Sequence, residues 1–181
     1  DRACALSGKG LSGELSIQWP ELMKFKETFT EPVPENIEQN YRKMGIDTFH
    51  SPARFTGEQT LQIGDEQLQA ETIVIATGAK PVKLNIPGEE YALNSTDFLN
   101  LSELPKEITF IGGGYIAFEF AHLAARVGAK VNIVHRGERP LENFEKDIVA
   151  EVVKASKDLG IHLFLETEAQ EIRQDGSGFV V

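Results

Sequence analysis

The stretch ITFIGGGYIAFE fills residues 108–119 and decides the fold of the chain. Its first four residues predict a buried strand, its glycines predict a tight turn, and the residues after them predict a helix. Gly112, Gly114 and Ala117 fit the pattern G-x-G-x-x-G/A. The first glycine permits the turn, the second lets a diphosphate approach the backbone, and the small third residue lets helix and strand pack closely. A diphosphate would lie on the free N–H groups at the positive end of the helix. The stretch therefore predicts a dinucleotide-binding turn.

A second strand, predicted at residues 129–134, gives this turn its βαβ context. A helix over about 147–159 and a strand at 161–165 should extend the same unit. Within the fingerprint helix, the spacing of apolar residues predicts a core-facing stripe of Ile116, Phe120, Leu123, Ala124 and Val127. Another side of that helix should carry the polar residues Tyr115, Glu119, His122 and Arg126.

The segment HRGER, residues 135–139, ends the second strand and bears on the choice of nucleotide. An NAD site places Asp or Glu there to hold the ribose 2′-hydroxyl, and this segment begins without a carboxylate. Arg136 can form two hydrogen bonds with a phosphate, and His135 can add a donor or a charge. The segment therefore favours NADPH over NADH. Glu138 and Glu142 lie nearby and weaken this preference, and a solvated basic turn is the alternative.

Composition excludes several classes of protein. The 181 residues carry a formal net charge of −10 without a dense Lys/Arg run, which argues against a nucleic-acid partner. No apolar run approaches the roughly 20 residues that a membrane span needs. Cys4 is the only cysteine, so an intrachain disulfide is impossible and a reducing cytoplasm is the expected setting. His50 and His162 show no metal-ligand spacing, and no metal site is predicted.

The residues on either side of the fingerprint unit predict further elements. Residue 104 is the expected boundary between two domains, 1–104 and 105–181. Both domains are expected to be partial, because the chain is expected to be the interior of a longer polypeptide. The expected helices begin at Trp19, span 35–44, and run from a Ser95 or Thr96 cap to Leu101. The expected strands lie at 45–49, near Phe55, and at 61–63, 68–70 and 72–77. A linker is expected over 81–88, and a C-terminal hairpin should turn at Asp175-Gly176.

Four motifs in order extend the argument to a family. TIVIATGAKP at 72–81, IPG at 86–88, STD at 95–97 and FIGGGYIAFE at 110–119 resemble the FAD-dependent pyridine nucleotide-disulfide oxidoreductases. This group includes glutathione reductase, trypanothione reductase, dihydrolipoamide dehydrogenase and mercuric reductase. The resemblance runs from about Trp19 to Val181. It implies an α/β fold in which a Rossmann-like NAD(P)-binding βαβ unit is preceded by the back part of an FAD-binding domain.

The resemblance also implies roles for individual residues. Tyr115 would cover the flavin and move aside for nicotinamide, and Glu119 would lie near both rings, which makes these two the predicted catalytic residues. Arg136 would bind the 2′-phosphate. The predicted FAD-binding residues are Ala53, Ala76, Thr77 and Gly78. The predicted NADP-binding residues, with NAD as a possible substitute, are Gly112, Gly113, Gly114, Tyr115, Ile116, Glu119, His135, Arg136 and Arg139.

The chain departs from the family at three places. A second phosphate-binding arginine, expected just before Phe144, is replaced by Glu142, which puts a strict NADPH preference in doubt. The redox pair C-x4-C is absent, and so is the C-terminal dimer domain. The expected function is hydride transfer from NADPH to FAD and on to a disulfide, with redox cysteines outside this chain and a homodimeric intact protein. The alternatives are a flavin oxidoreductase with a quinone or metal-ion acceptor, or a non-catalytic nucleotide-binding module.

Overall fold

The computed structural model describes Lys9 and residues 16–181, so Cys4 lies outside the described residues. The helices are α1 (Trp19–Thr30), α2 (Val33–Lys43), α3 (Ser95–Leu99), α4 (Tyr115–Val127) and α5 (Lys146–Asp158), with a 3-10 turn at Glu89–Tyr91. The strands are β1 (Ala53–Gly57), β2 (Thr60–Ile63), β3 (Glu66–Gln69), β4 (Glu107–Ile111), β5 (Lys130–Val134), β6 (His162–Phe164), β7 (Arg173–Asp175) and β8 (Gly178–Val180).

A parallel sheet with the strand order β4-β5-β6 carries the predicted fingerprint unit. Ile108 pairs with Val131 and Ile111 with Val134, so β4 and β5 end at the same edge of the sheet. The central strand β5 is paired on both sides, and its alternate residues Val131 and Ile133 are buried in the core. The predicted α/β class and its βαβ unit are confirmed.

The buried face of α4 differs from the predicted stripe at its first turn. Phe118, Ala121 and Ala124 are buried, whereas Ile116 is 42% exposed. The remaining predicted core residues Phe120, Leu123 and Val127 are partly buried and pack against the core. Two of the three buried residues, Ala121 and Ala124, are small and allow close packing of the helix, while Phe118 rather than Ile116 supplies the large apolar side chain in the core.

A cluster of aromatic rings joins α1 and α3 to the parallel sheet. Trp19 donates its indole N–H to the Leu101 carbonyl at 2.7 Å, and Phe98 stacks on Phe120 with ring centroids 4.3 Å apart. The predicted α3 cap at Ser95 or Thr96 is wrong by one or two residues. Asn94 caps α3 by accepting the backbone N–H groups of Thr96 and Asp97, because its side chain precedes the first helical residue.

Residues 26–81 form a separate compact unit, and the described residues up to Phe25 form the other together with residues 82–181. The smaller unit contains an antiparallel sheet of order β1-β2-β3, in which Leu61 pairs with Phe55 and Leu68. This confirms the predicted short strands and the turn at Gly64-Asp65. The other turn, predicted at Thr56-Gly57, is wrong, because β1 continues to Gly57 and the chain turns at residues 58–59. The predicted boundary at residue 104 concerns the FAD-binding and NAD(P)-binding parts of the family architecture, and it stays a prediction.

Two predicted strands of the smaller unit do not form. Residues 45–49 and 72–77 carry no strand, and Val74 and Ile75 are 82% and 70% exposed. An apolar run becomes a strand only where another strand completes its hydrogen bonds. No described strand pairs with either segment.

The C-terminal residues form the predicted antiparallel hairpin of β7 and β8. The linker before α3 packs closely against the residue preceding this hairpin. Ile172 donates its N–H to the Pro87 carbonyl at 2.9 Å, and a Cβ on Gly88 would overlap the Ile172 carbonyl oxygen. Within the part of the chain that the structure describes, no helix is both long and apolar enough to cross a membrane.

Candidate nucleotide-binding site

The glycine turn between β4 and α4 presents an open backbone surface. Gly112 has φ 113°, a conformation that favours glycine, and its N–H binds the Val134 carbonyl at 2.8 Å. A Cβ built on Gly114 would meet nothing within 4 Å, so this residue faces open space. The first intrahelical hydrogen bond is donated by Phe118 to Gly114, so the N–H groups of Tyr115, Ile116 and Ala117 have no intrahelical partners. The turn therefore fits a diphosphate.

His135 stands at the end of β5 and is held by backbone on both sides of its ring. Its Nδ1 lies 3.2 Å from the N–H nitrogen of Gly113, and its Nε2 lies 3.1 Å from the carbonyl oxygen of Arg139. Only 14% of its side chain is exposed. The ring nitrogens are thus already engaged within the protein.

The two arginines after β5 have different surroundings. Arg139 donates from its guanidinium to the carbonyls of Phe144 at 2.9 Å and Glu142 at 2.6 Å, and so stabilises the loop that it belongs to. The side chain of Arg136 is exposed and forms no hydrogen bond or ion pair with any residue that the structure describes. Arg136 is therefore the arginine of this segment whose guanidinium is available to a phosphate.

Tyr115 and Glu119, the predicted catalytic residues, lie one helical turn apart at the start of α4. Residues four apart in a helix share a face. Tyr115 is 57% exposed, Glu119 is exposed, and neither side chain contacts a polar partner among the described residues. The structure therefore brings both side chains together on the helical turn that follows the glycines.

A histidine farther along α4 is used for helix packing. His122 places Nε2 2.8 Å from the Ser156 hydroxyl of α5, and Arg126 donates to its Nδ1 at 3.0 Å. Ser156 donates its own proton to the Val152 carbonyl, so the imidazole donates to Ser156 from Nε2 and is neutral. Burial, followed by the neighbouring Arg126 charge, lowers the pKa of His122.

The residues predicted to bind FAD lie in the smaller compact unit. Ala53 begins β1, while Ala76, Thr77 and Gly78 lie in the extended segment after β3, and all four are exposed. Over the described ranges, no group of three or more His, Cys, Asp and Glu side chains could hold a metal ion.

Sequence reasoning missed one residue that shapes the glycine turn. Leu141 adopts φ 52°, unusual for leucine, and donates its N–H to the Gly113 carbonyl at 2.9 Å. Glu142, which the sequence analysis placed near the basic segment, has Oε1 3.5 Å from His135 Nε2.

The fold and the site together define an α/β dinucleotide-binding protein: a parallel βαβ unit, an open glycine turn at a helix N-terminus, and an exposed arginine after the second strand. Comparison with known proteins identifies the family. The sequence profile described as "Pyridine nucleotide-disulphide oxidoreductase" matches residues 9–181, and the chain belongs to this family.

Individual relatives agree with this assignment. The glutathione reductase of Nostoc sp. is 31% identical over 139 residues, which cover 77% of this chain and 30% of that protein. The mercuric reductase of Bacillus cereus is 34% identical over 134 residues, which cover 73% of this chain and 21% of that protein. The structure of the HOCl-induced flavoprotein disulfide reductase RclA from Escherichia coli superposes with a TM-score of 0.82 at 27% identity, covering 90% of this chain and 39% of that one. The chain thus spans well under half the length of these relatives.

Proposed function

We propose that this chain belongs to a FAD-dependent NAD(P)H oxidoreductase and binds NADPH through its glycine turn and Arg136. The observation that carries the proposal is the exposed guanidinium of Arg136, which is free of described partners. It follows directly after His135, whose ring contacts the glycine turn. A guanidinium in this place can form paired hydrogen bonds with a ribose phosphate.

Each part of the site has a separate task in this proposal. The N–H groups at the start of α4 bind the diphosphate, where the helix dipole favours negative charge. Tyr115 shields the flavin until nicotinamide arrives, and Glu119 orients the nicotinamide carboxamide. The exposure of both side chains one turn beyond the glycines supports these roles.

The bound flavin would supply hydride chemistry, so that NADPH, one proton and a disulfide become NADP⁺ and two thiols. The redox cysteines for this reaction would lie outside the chain. Ala53 and the segment 76–78 are the proposed FAD contacts. The intact protein is proposed to be a homodimer, as the family resemblance implies, and to lie in the reducing cytoplasm, which the single cysteine favours.

The preference for NADPH should be moderate. Glu142 stands where NADP-dependent relatives carry a second arginine, and Arg139 is engaged by the carbonyls of its own loop. One arginine then provides the main contact to the 2′-phosphate. NADH should therefore also bind, with lower affinity.

A metal ion is a second candidate for the electron acceptor. The observation that favours it is the similarity to the mercuric reductase of Bacillus cereus, whose matched segment covers 21% of that protein. A quinone acceptor and a module that binds nucleotide without reducing a flavin are further outcomes that the following experiment distinguishes.

Anaerobic titration of the intact protein with NADPH, followed by visible absorbance, tests the proposal. A redox disulfide should take up reducing equivalents beyond those that flavin alone can hold and should show a thiolate-to-flavin charge-transfer band. A flavin that bleaches with only its own equivalents would point to a metal ion or quinone. Tight NADPH binding without any flavin in the intact protein would contradict the oxidoreductase.

A further inference from the structure

We propose that His135 is a positioning residue that braces the glycine turn, and that its protonation weakens dinucleotide binding. The inference rests on the proposed function, since it concerns the same nucleotide site. It assigns His135 a role between protein segments rather than at the 2′-phosphate.

The hydrogen bonds around the ring specify one form of the imidazole. A backbone N–H can only donate, so Nδ1, which faces the N–H of Gly113, must be the unprotonated acceptor. A carbonyl can only accept, so Nε2, which faces the Arg139 carbonyl, must carry the proton. Neutral imidazole with its proton on Nε2 satisfies both contacts at once.

The space around the ring gives independent support. A Cβ on Gly113 would lie 2.7 Å from His135 Cγ and 2.8 Å from Nδ1. A Cβ on Gly137 would lie 2.7 Å from Nε2 and 2.6 Å from the Glu142 carboxylate. Neither glycine has a left-handed backbone. The ring therefore limits the space at Gly113, and the ring together with the Glu142 carboxylate limits it at Gly137.

The brace connects the turn to the loop that follows β5. Gly113 donates its N–H to His135, and its carbonyl accepts the N–H of Leu141. Both polar groups of this residue are therefore held by the segment 135–141. The same segment carries Arg136, so one ring couples the diphosphate end of the site to the 2′-phosphate end.

Protonation of the ring would break this arrangement. A proton on Nδ1 would place two donors face to face, and Gly113 would lose its hydrogen bond. The glycine turn contains no charged side chain. The charged residues of the loop around the His135 ring are Arg136, Arg139 and Glu142. Glu166 follows β6, and its backbone N–H binds the Gly137 carbonyl. Glu142 Oε1, 3.5 Å from Nε2, could then pair with the charged ring.

Titrations of the intact protein with NADH test the brace, because NADH has no 2′-phosphate to titrate. Protonation of the ring costs one hydrogen bond, so the Kd of the wild-type protein should be about five- to tenfold higher in an acidic buffer than at about pH 8. His135→Asn offers an amide oxygen to the Gly113 N–H, and its amide carries no titrating proton. It should retain the affinity measured at about pH 8 and show a flat profile. His162→Gln, on the exposed strand β6, should keep the wild-type profile.

A second comparison uses the space around the ring. Gly113→Ala should weaken NADH binding about tenfold or more when His135 is present, because the methyl group meets the ring. The same substitution should cost little when combined with His135→Ala. A wild-type pH profile in His135→Asn would contradict the proposed role of His135. Equal losses of NADH affinity from Gly113→Ala with and without His135 would contradict it as well. Failure of the folded wild-type protein to bind NADH or NADPH at any pH would instead contradict the proposed function, and the proposed role of His135 would fall with it.

Discussion

Arg136 and Arg139 lie three residues apart on one loop, yet the fold gives their guanidinium groups different surroundings. Arg139 binds carbonyls of the same loop, whereas Arg136 is exposed without a described partner. The sequence predicts a basic segment at the correct strand end. It cannot show which cation the loop itself uses, because that depends on where the carbonyls of Glu142 and Phe144 point.

Arg136→Ala should weaken NADPH binding more than NADH binding. A charge-assisted phosphate contact is worth about 1.5–3 kcal/mol, and NADH lacks the phosphate. Calorimetric titration with both nucleotides measures the difference. Arg173→Ala, which removes an exposed arginine paired with Glu171 on the C-terminal hairpin, serves as the control. Equal losses for NADPH and NADH in Arg136→Ala would refute the assignment of the phosphate contact.

His122 should make the stability of the protein depend on pH. Burial and Arg126 lower the pKa of His122 in the folded state, so the unfolded chain binds its proton more readily. The resulting stabilisation is fully present above the unfolded value of about 6.5 and is lost as the pH falls through the lowered folded value. His122→Gln, which can still donate to Ser156, should therefore lose less thermal stability than the wild type between about pH 7.5 and 5.

Thermal unfolding of both proteins across this pH range measures the effect. The matched control is His162→Gln, since His162 is an exposed histidine on β6. An identical pH dependence for His122→Gln and the wild type would show that the His122 contact does not contribute.

At the scale of elements, sequence periodicity predicted the parallel unit and the hairpins, because each supplies its own partners within the described chain. β4, β5 and β6 pair with one another, and β7 pairs with β8. The run 72–77 has the composition of a buried strand, but no described strand lies beside it. The amino-acid composition of a segment indicates its preference for a β-sheet, but it does not indicate where a partner strand lies.

The face of α4 was difficult to predict for a related reason. Ile116 and Phe118 are both large and apolar, and the predicted stripe chose Ile116, whereas Phe118, Ala121 and Ala124 are the buried residues. Apolar periodicity alone did not separate these two neighbouring faces. The capping residue of α3 was misplaced by one or two positions because Asn94, Ser95 and Thr96 are all common caps.

Asn94→Ala should destabilise the protein by about 1 kcal/mol, within a range of roughly 0.5–2 kcal/mol. The substitution removes the acceptor for the N–H groups of Thr96 and Asp97 in a helix that places Phe98 in the core. Urea unfolding gives the free energy of unfolding for the wild type and the variant. Asn143→Ala changes an exposed asparagine that forms no hydrogen bond with the described residues and should be close to neutral. A similar result for both variants would contradict the importance of the cap.

At the scale of the whole molecule, the two compact units contain different parts of the proposed chemistry. The unit formed by the described residues up to Phe25 and from 82 to 181 contains the glycine turn, Arg136 and the buried core. The unit of residues 26–81 contains the proposed FAD contacts, all exposed. The described residues thus form more of the proposed NADPH site than of the proposed FAD site. NADPH binding at the glycine turn is therefore the central claim.

Calorimetric titration of NADPH and NADH into the intact protein and into its Gly114→Val variant tests that claim most directly. Gly114 faces open space in an extended backbone conformation, so valine should fold normally and its side chain should occupy the place of the diphosphate. Gly178→Val is the matched control, because a Cβ there meets its nearest atom only at 3.9 Å. The account predicts that the wild type and Gly178→Val bind both nucleotides, NADPH more tightly, and that folded Gly114→Val binds neither. Unchanged affinity in folded Gly114→Val would contradict the assignment of the glycine turn.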